Sequence, residues 1–200
     1  MASPPSRRYA VSMQTRRQIL AFSSVALAAT VPTNTWAATM SSANAYAFSF
    51  AALDGNSIVL AEHAGHPILV VNTASLCGYT PQYGGLQELW TRYRERGLFI
   101  VGVPSNDFGG QEPGGASEIE KTAHGDYHVT FPLAQKAAVK GPEAHPFYRW
   151  AAAQRPLETP RWNFHKYLIA RTGALKAGFA SAVEPADPRI IAAIETELTV

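Results

Sequence analysis

The 200-residue chain is 46% hydrophobic and 16% charged and carries one cysteine, an ordinary composition for a single globular domain. Its formal charge of +2 is unevenly spread: residues 1–38 hold Arg7, Arg8, Arg16 and Arg17 and no Asp or Glu, and without them 13 basic residues face 15 acidic ones, a net charge of −2. That balance excludes a basic nucleic-acid surface, no phosphate loop of the GxxxxGKS/T type is present, and a lone cysteine excludes an intramolecular disulfide.

Residues 1–38 read as a targeting segment. Thr15-Arg16-Arg17-Gln18-Ile19-Leu20 resembles a twin-arginine export signal, and the apolar stretch Ile19–Val31 follows it. That stretch is shorter than the roughly 20 apolar residues a bilayer span needs, and the small residues around Trp36-Ala37-Ala38 fit a cleavage site. The expected organisation is a cleaved signal over 1–38, a polar linker over 39–45 and one domain over 46–200. The expected destination is the periplasm, with no stable membrane insertion once the signal is removed. Met13 offers a second start, which would make residues 1–12 an over-extension.

In the domain, Ala47-Phe48-Ser49-Phe50 alternates, Asp54-Gly55 marks a turn and Ser57–Leu60 is strand-like, which predicts a β-hairpin. Ile68–Asn72 is a continuous apolar run, as expected of a strand buried on both faces. Thr80 and Pro81 open a helix with Leu86, Leu89, Trp90 and Tyr93 at helical spacing, stopped by Gly97. Leu98–Val103 predicts a second buried strand ended by Pro104, followed by a polar glycine-rich loop, Ser105–Gly115. Ser117 and Glu120 have the spacing of a capping box for a short helix. Phe131-Pro132 begins an extended piece, and Ala144–Ala153 reads as a helix. Phe164–Ile169 and Ala174–Ala180 read as strands turning at Thr172-Gly173. Asp187-Pro188 opens the last helix, with Asp as cap, proline in the first turn, and Ile190, Ile191 and Ile194 on one side. Strand, helix and strand at this spacing imply a right-handed parallel crossover, and the two late strands make the sheet mixed.

Cys77 ends the strand-like run from Pro67 and is followed at once by Gly78-Tyr79-Thr80-Pro81 and the helix. A thiol at that junction lies near the positive end of the helix dipole and near N–H groups without helical partners. Both favour the nucleophilic thiolate. A free cysteine is also a common apolar filler, so position alone leaves both readings open.

Three blocks in order resolve it. Asn72-Thr-Ala-Ser-Leu-Cys77-Gly78-Tyr79-Thr80 with Gln82-Tyr83 resembles the active-cysteine motif of the glutathione peroxidase family. Pro104-Ser-Asn106-Asp-Phe108-Gly109-Gly-Gln111-Glu112-Pro113-Gly114 is similar to its second block, and Trp162-Asn163-Phe164-His-Lys166-Tyr167-Leu168-Ile169 to its third. The resemblance runs from about Phe48 to the C-terminus. It implies a thioredoxin-like α/β fold, with a central mixed β-sheet flanked by helices and an N-terminal hairpin. It also implies a catalytic tetrad of Cys77, Gln111, Trp162 and Asn163. In that scheme Cys77 attacks a hydroperoxide and becomes a sulfenic acid. The Gln111 amide, Trp162 indole and Asn163 amide then donate hydrogen bonds to the leaving oxygen, with the backbone N–H groups of Gly78 and Tyr79 as further donors.

The departures from the family carry weight. Ser105 stands where many relatives have cysteine, and the stretch near Thr122-Ala-His124 lacks the resolving cysteine of thioredoxin-linked members. An external thiol, glutathione or another small thiol or a thiol reductase, must then resolve the sulfenate, with no bound cofactor or metal. Overoxidation becomes a hazard when reductant is scarce. The short segment between Pro132 and Trp162 resembles compact members without an oligomerisation loop, which implies a monomer. Two rival readings are weaker. A thioredoxin-like thiol oxidoreductase needs a CxxC pair, and here the positions are Cys77-Gly-Tyr-Thr80. A periplasmic metal carrier would have to use Cys77 and six scattered histidines, His63, His66, His124, His128, His145 and His165, which lack a recognisable ligand spacing.

Overall fold

The computed structural model describes residues 44–199, together with Met1; the expected export signal and its expected cleavage site fall on residues 2–43, outside the described residues. Strands β1 (Ser49–Ala51) and β2 (Ser57–Val59) form an antiparallel hairpin with Phe50 opposite Ile58. The central sheet contains β3 (Ile68–Thr73), β4 (Phe99–Pro104), β5 (Lys166–Ile169) and β6 (Leu175–Phe179), in the order β4-β3-β5-β6. β3 pairs parallel with β4 and antiparallel with β5, and β5 pairs antiparallel with β6, so the sheet is mixed. Helices α1 (Gln82–Tyr93), α2 (Ala116–Glu120), α3 (Pro146–Gln154) and α4 (Pro188–Leu198) complete the α/β, thioredoxin-like architecture. No helix among the described residues is long and apolar enough to cross a membrane.

Strand periodicity divides the core in two. Ile68 and Val70 of β3 face one side of the sheet with Phe99, Val101, Tyr167 and Ile169, and meet Phe48, Phe50 and the α3 residues Phe147 and Trp150. Leu69 and Val71 face the other side with Ile100 and Leu168, against Leu86 and Leu89 of α1 and Ile190 and Ile194 of α4. All six residues of β3 are buried, as are all six of β4, which is why neither strand alternates in sequence. Each such aliphatic side chain contributes roughly 1.5–3 kcal/mol of burial.

Several boundaries move for identifiable reasons. Asn44 and Ala45, read from sequence as the end of a linker, already pack on the β5–β6 turn: Ala45 is fully buried, and its N–H donates to the Gly173 carbonyl at 2.8 Å. The expected Ser117/Glu120 box is not the one that forms. α2 starts at Ala116 with Gly115 as its cap, and Glu118 Oε2 accepts the Gly115 N–H at 3.0 Å. Glycine has no side chain to reciprocate, so only half of a box is present. β5 begins at Lys166 rather than Phe164, because Phe164 adopts φ of +63°. The last helix opens as its sequence indicated, with Asp187 accepting the Arg189 N–H at 2.9 Å.

Candidate active site

β3 delivers the first element. After Thr73 the chain turns through Ala74–Pro81 into α1, and Thr80 shapes that turn. Its hydroxyl accepts the Cys77 N–H at 3.0 Å and donates to the Ala74 carbonyl at 2.9 Å, and its own N–H donates to the Cys77 carbonyl at 3.0 Å. Cys77 is 7% exposed, and its sulfur accepts the Tyr79 N–H at 3.4 Å. The Tyr79 N–H is thus aimed at sulfur just ahead of the start of α1.

The Ser105–Gly115 loop supplies the second. Gly109 and Gly110 follow one another at φ of +66° and +64°, a backbone path that side-chain-bearing residues rarely take. The path returns Gln111 toward the cysteine turn, where its carbonyl accepts the Leu76 N–H at 3.0 Å. The third element precedes β5 and is gripped by Asn72, which is fully buried. The Asn72 side-chain amide donates to the Trp162 carbonyl at 3.1 Å, while the Asn72 backbone carbonyl accepts the Phe164 N–H at 2.6 Å and its backbone N–H donates to the His165 carbonyl at 3.2 Å. The left-handed Phe164 sends its ring into the core against Tyr83, 5.3 Å away and edge-on. A bulky residue at positive φ is a strained position held by its surroundings.

These elements bring the expected residues to one end of the sheet. Asn163 is fully buried, and its amide donates to Gln111 Oε1 at 2.9 Å and to the Phe108 carbonyl at 3.5 Å. With Oε1 engaged, the Gln111 NH₂ is the group left to donate outward. Trp162 packs on Phe108, ring centres 6.0 Å apart, and stays 39% exposed. Tyr79 and Trp162 share the wall of an open groove of about 640 Å³, with Leu157, Arg161, His165 and Ser181 among its other lining residues. Cys77, Gln111 and Asn163 are not on that lining. Gly78 makes none of the contacts around sulfur that Tyr79 makes.

Two buried basic groups back the site. Burial, reinforced by the neighbouring Lys166 charge, pushes the His165 imidazole down to about 4. Burial also lowers Lys166, opposed by Glu184, to about 8. Lys166 Nζ donates to Gln82 Oε1 and to the Val183 carbonyl at 2.6 Å, tying β5 to the first turn of α1. Neither this pair nor Asn72's triple grip was read from sequence; the signal available was polar residues inside otherwise apolar strand runs. Of the remaining histidines, His63 and His66 lie near enough for the His66 charge to bear on His63. His63 stacks on Phe99 at 3.4 Å, His124 contacts the Val129 carbonyl at 2.9 Å, His145 caps α3, and His128 lies outside any helix at φ of +54°. Among the described residues, no group of three or more His, Cys, Asp or Glu side chains is gathered to hold a metal ion.

Comparison with known proteins agrees with this architecture. The family model described as "Glutathione peroxidase" matches residues 45–152. A hydroperoxy fatty acid reductase of Synechocystis is 44% identical over 149 residues, covering 70% of this chain and 88% of the relative. A glutathione peroxidase of Lactococcus lactis is 41% identical over 145 residues, covering 71% of this chain and 92% of the relative. The crystal structure of Trgpx in apo form superposes with a TM-score of 0.62 at 34% identity, covering 78% of this chain and 97% of the other. The chain belongs to the glutathione peroxidase family and is an oxidoreductase of the peroxidase type.

Proposed function

We propose that the protein reduces hydrogen peroxide and organic hydroperoxides through a Cys77 sulfenic acid that an external thiol resolves. Cys77 thiolate attacks one peroxide oxygen; the S–O bond forms, the O–O bond breaks, and an alkoxide or hydroxide leaves and takes up a proton. Gln111 Nε2 and the Trp162 indole N–H stabilise that leaving oxygen, and Asn163 orients Gln111. A first external thiol then condenses with the sulfenic acid, giving a mixed disulfide and water. A second thiol attacks that disulfide, releasing Cys77 and a disulfide product. One hydroperoxide and two thiols become one alcohol or water, one water and one disulfide.

The observation that carries this reading is the Tyr79 N–H on Cys77 sulfur, in a turn bonded to the Gln111 loop. The external thiol follows from the cysteine count of one. Glutathione, another small thiol or a thiol reductase fits the role, and the cycle calls for no bound cofactor or metal. The proposed setting is the periplasm, reached through the twin-arginine-type segment, with the domain acting as a monomer.

Steady-state turnover of hydrogen peroxide and cumene hydroperoxide, with glutathione or a thioredoxin system as reductant, tests the cycle. The expected result is turnover with an external thiol and, when that thiol is limiting, its mass added to Cys77. Turnover that proceeds without Cys77 adducts, or in Cys77→Ser, contradicts it.

A further inference from the structure

Behind Cys77, one buried carboxylate pins together the two loops that carry Cys77 and Gln111. Glu112 is 1% exposed. Its Oε2 accepts both the Ser75 N–H at 2.9 Å and the Ser75 hydroxyl at 3.2 Å. Ser75 lies two residues before Cys77, and Glu112 directly follows Gln111. Beside this contact the Leu76 N–H donates to the Gln111 carbonyl, so two adjacent residues on each loop are cross-linked. Glu112 is itself fixed from behind: its N–H donates to Asn106 Oδ1 at 2.9 Å, and its carbonyl accepts Lys136 Nζ at 3.1 Å.

Glu112 Oε1, Thr73 Oγ1 and the Tyr83 hydroxyl are all buried without a hydrogen bond. Burial raises the Tyr83 phenol, and the Glu112 charge raises it further. No ion pair among the described residues reaches Glu112. Burial accordingly pushes its carboxyl above the usual carboxylate range, against the Ser75 hydrogen bonds and Lys136. A buried, unpaired carboxylate is a costly way to fill space. Its two bonds to Ser75 give it a use that an apolar side chain could not serve.

We propose that Glu112 is a positioning residue of the peroxidase reaction: by holding Ser75 it sets the Cys77 turn against the Gln111 loop, and so places sulfur relative to the Gln111 amide. It touches neither peroxide nor sulfur. The assignment rests on the reading of Cys77 and Gln111 as the reacting pair.

The test is a double-mutant cycle on the second-order rate of sulfenate formation with hydrogen peroxide, with the melting temperature followed alongside. Glu112→Ala should slow the reaction at least about tenfold, as small misplacements of reacting groups do. Glu112→Gln keeps a carbonyl oxygen for Ser75 and should restore the rate to within about threefold. In a Gln111→Ala background, Glu112→Ala should cost less than about twofold more, because the placement it serves is already lost. A purely structural role would give the same loss in both backgrounds, and that result overturns the proposal. A Glu112→Gln protein as slow as Glu112→Ala, or a folded Glu112→Ala protein within twofold of wild type, does so too. If Glu112→Ala fails to fold, Ser75→Ala takes its place: a loss of about two- to fivefold that vanishes with Gln111→Ala supports the proposal, and an equal loss in both backgrounds overturns it. A wild-type rate no faster than free cysteine would overturn both this proposal and the peroxidase cycle beneath it; a fast wild type with an unaffected Glu112→Ala removes Glu112 alone.

Discussion

Asn163 and Gln111, 52 residues apart in sequence, meet through one hydrogen bond, from Asn163 Nδ2 to Gln111 Oε1 at 2.9 Å. The bond fixes which end of the Gln111 amide faces outward, and that end is the donor. Asn163→Asp replaces the donor with an acceptor that repels Oε1. It should slow sulfenate formation about tenfold or more, measured by stopped-flow fluorescence. Gln111→Ala and Trp162→Ala remove donors directly, and each should cost on the order of 10²-fold, about 3 kcal/mol. Because Trp162 is 39% exposed, its replacement should leave the melting temperature nearly unchanged, which separates a chemical effect from unfolding.

Thr80 tests whether the cysteine turn must be rigid. Its buried hydroxyl bonds both the Cys77 N–H and the Ala74 carbonyl. Thr80→Val keeps the shape and strands both groups, so it should destabilise the domain by about 1–3 kcal/mol in urea unfolding. It should also slow the peroxide reaction, whereas a destabilising substitution in the core on the other face of the sheet, such as Ile169→Val, should not.

The His165 ring predicts a pH dependence of stability. Its folded-state value, about 4, lies below the ordinary 6.5, so the fold favours the neutral ring. The resulting stability is fully present above about pH 6.5 and is lost as pH falls through about 4, up to about 3 kcal/mol for this ring alone. Carboxylates titrate in the same window, so the measurement is a difference. Relative to His165→Gln, wild type should lose stability steadily from pH 7 to pH 4 in denaturant melts; parallel curves would contradict the assignment.

Export is tested by Arg16→Lys combined with Arg17→Lys. The double variant should accumulate as uncleaved precursor in the cytoplasm, while the parent is recovered from the periplasm with its N-terminus near residue 39. Equal periplasmic recovery of both would contradict the twin-arginine reading.

The scaffold was largely legible because it is written in local patterns. The apolar run at Ile68–Asn72, the helical spacing of Leu86 and Leu89, and Asp187-Pro188 each encode their element within a few residues, and each element forms there. The ordered blocks around Cys77, Gln111 and Trp162-Asn163 likewise pointed to one family. What stayed hidden depends on distant polar pairs. Lys166 meets Gln82 across 84 residues, and Glu112 meets Ser75 across 37. Periodicity reports which face is apolar, not which buried polar group finds which partner. Phe164 was hidden for the complementary reason: its left-handed backbone is imposed by Asn72 and the core, against its own preference. The capping error has the same root, since Ser117 and Glu120 fit a local motif as well as Gly115 and Glu118 do.

The most direct test of the central claim takes the fully reduced mature domain, adds one equivalent of hydrogen peroxide, follows tryptophan fluorescence and traps Cys77 for mass spectrometry. The account predicts stoichiometric sulfenic acid on Cys77, formed far faster than on a free thiol and abolished in Cys77→Ser. A rate no better than that of free cysteine would contradict it, because the Tyr79 N–H, Gln111 and Trp162 would then not form a site that activates the thiol.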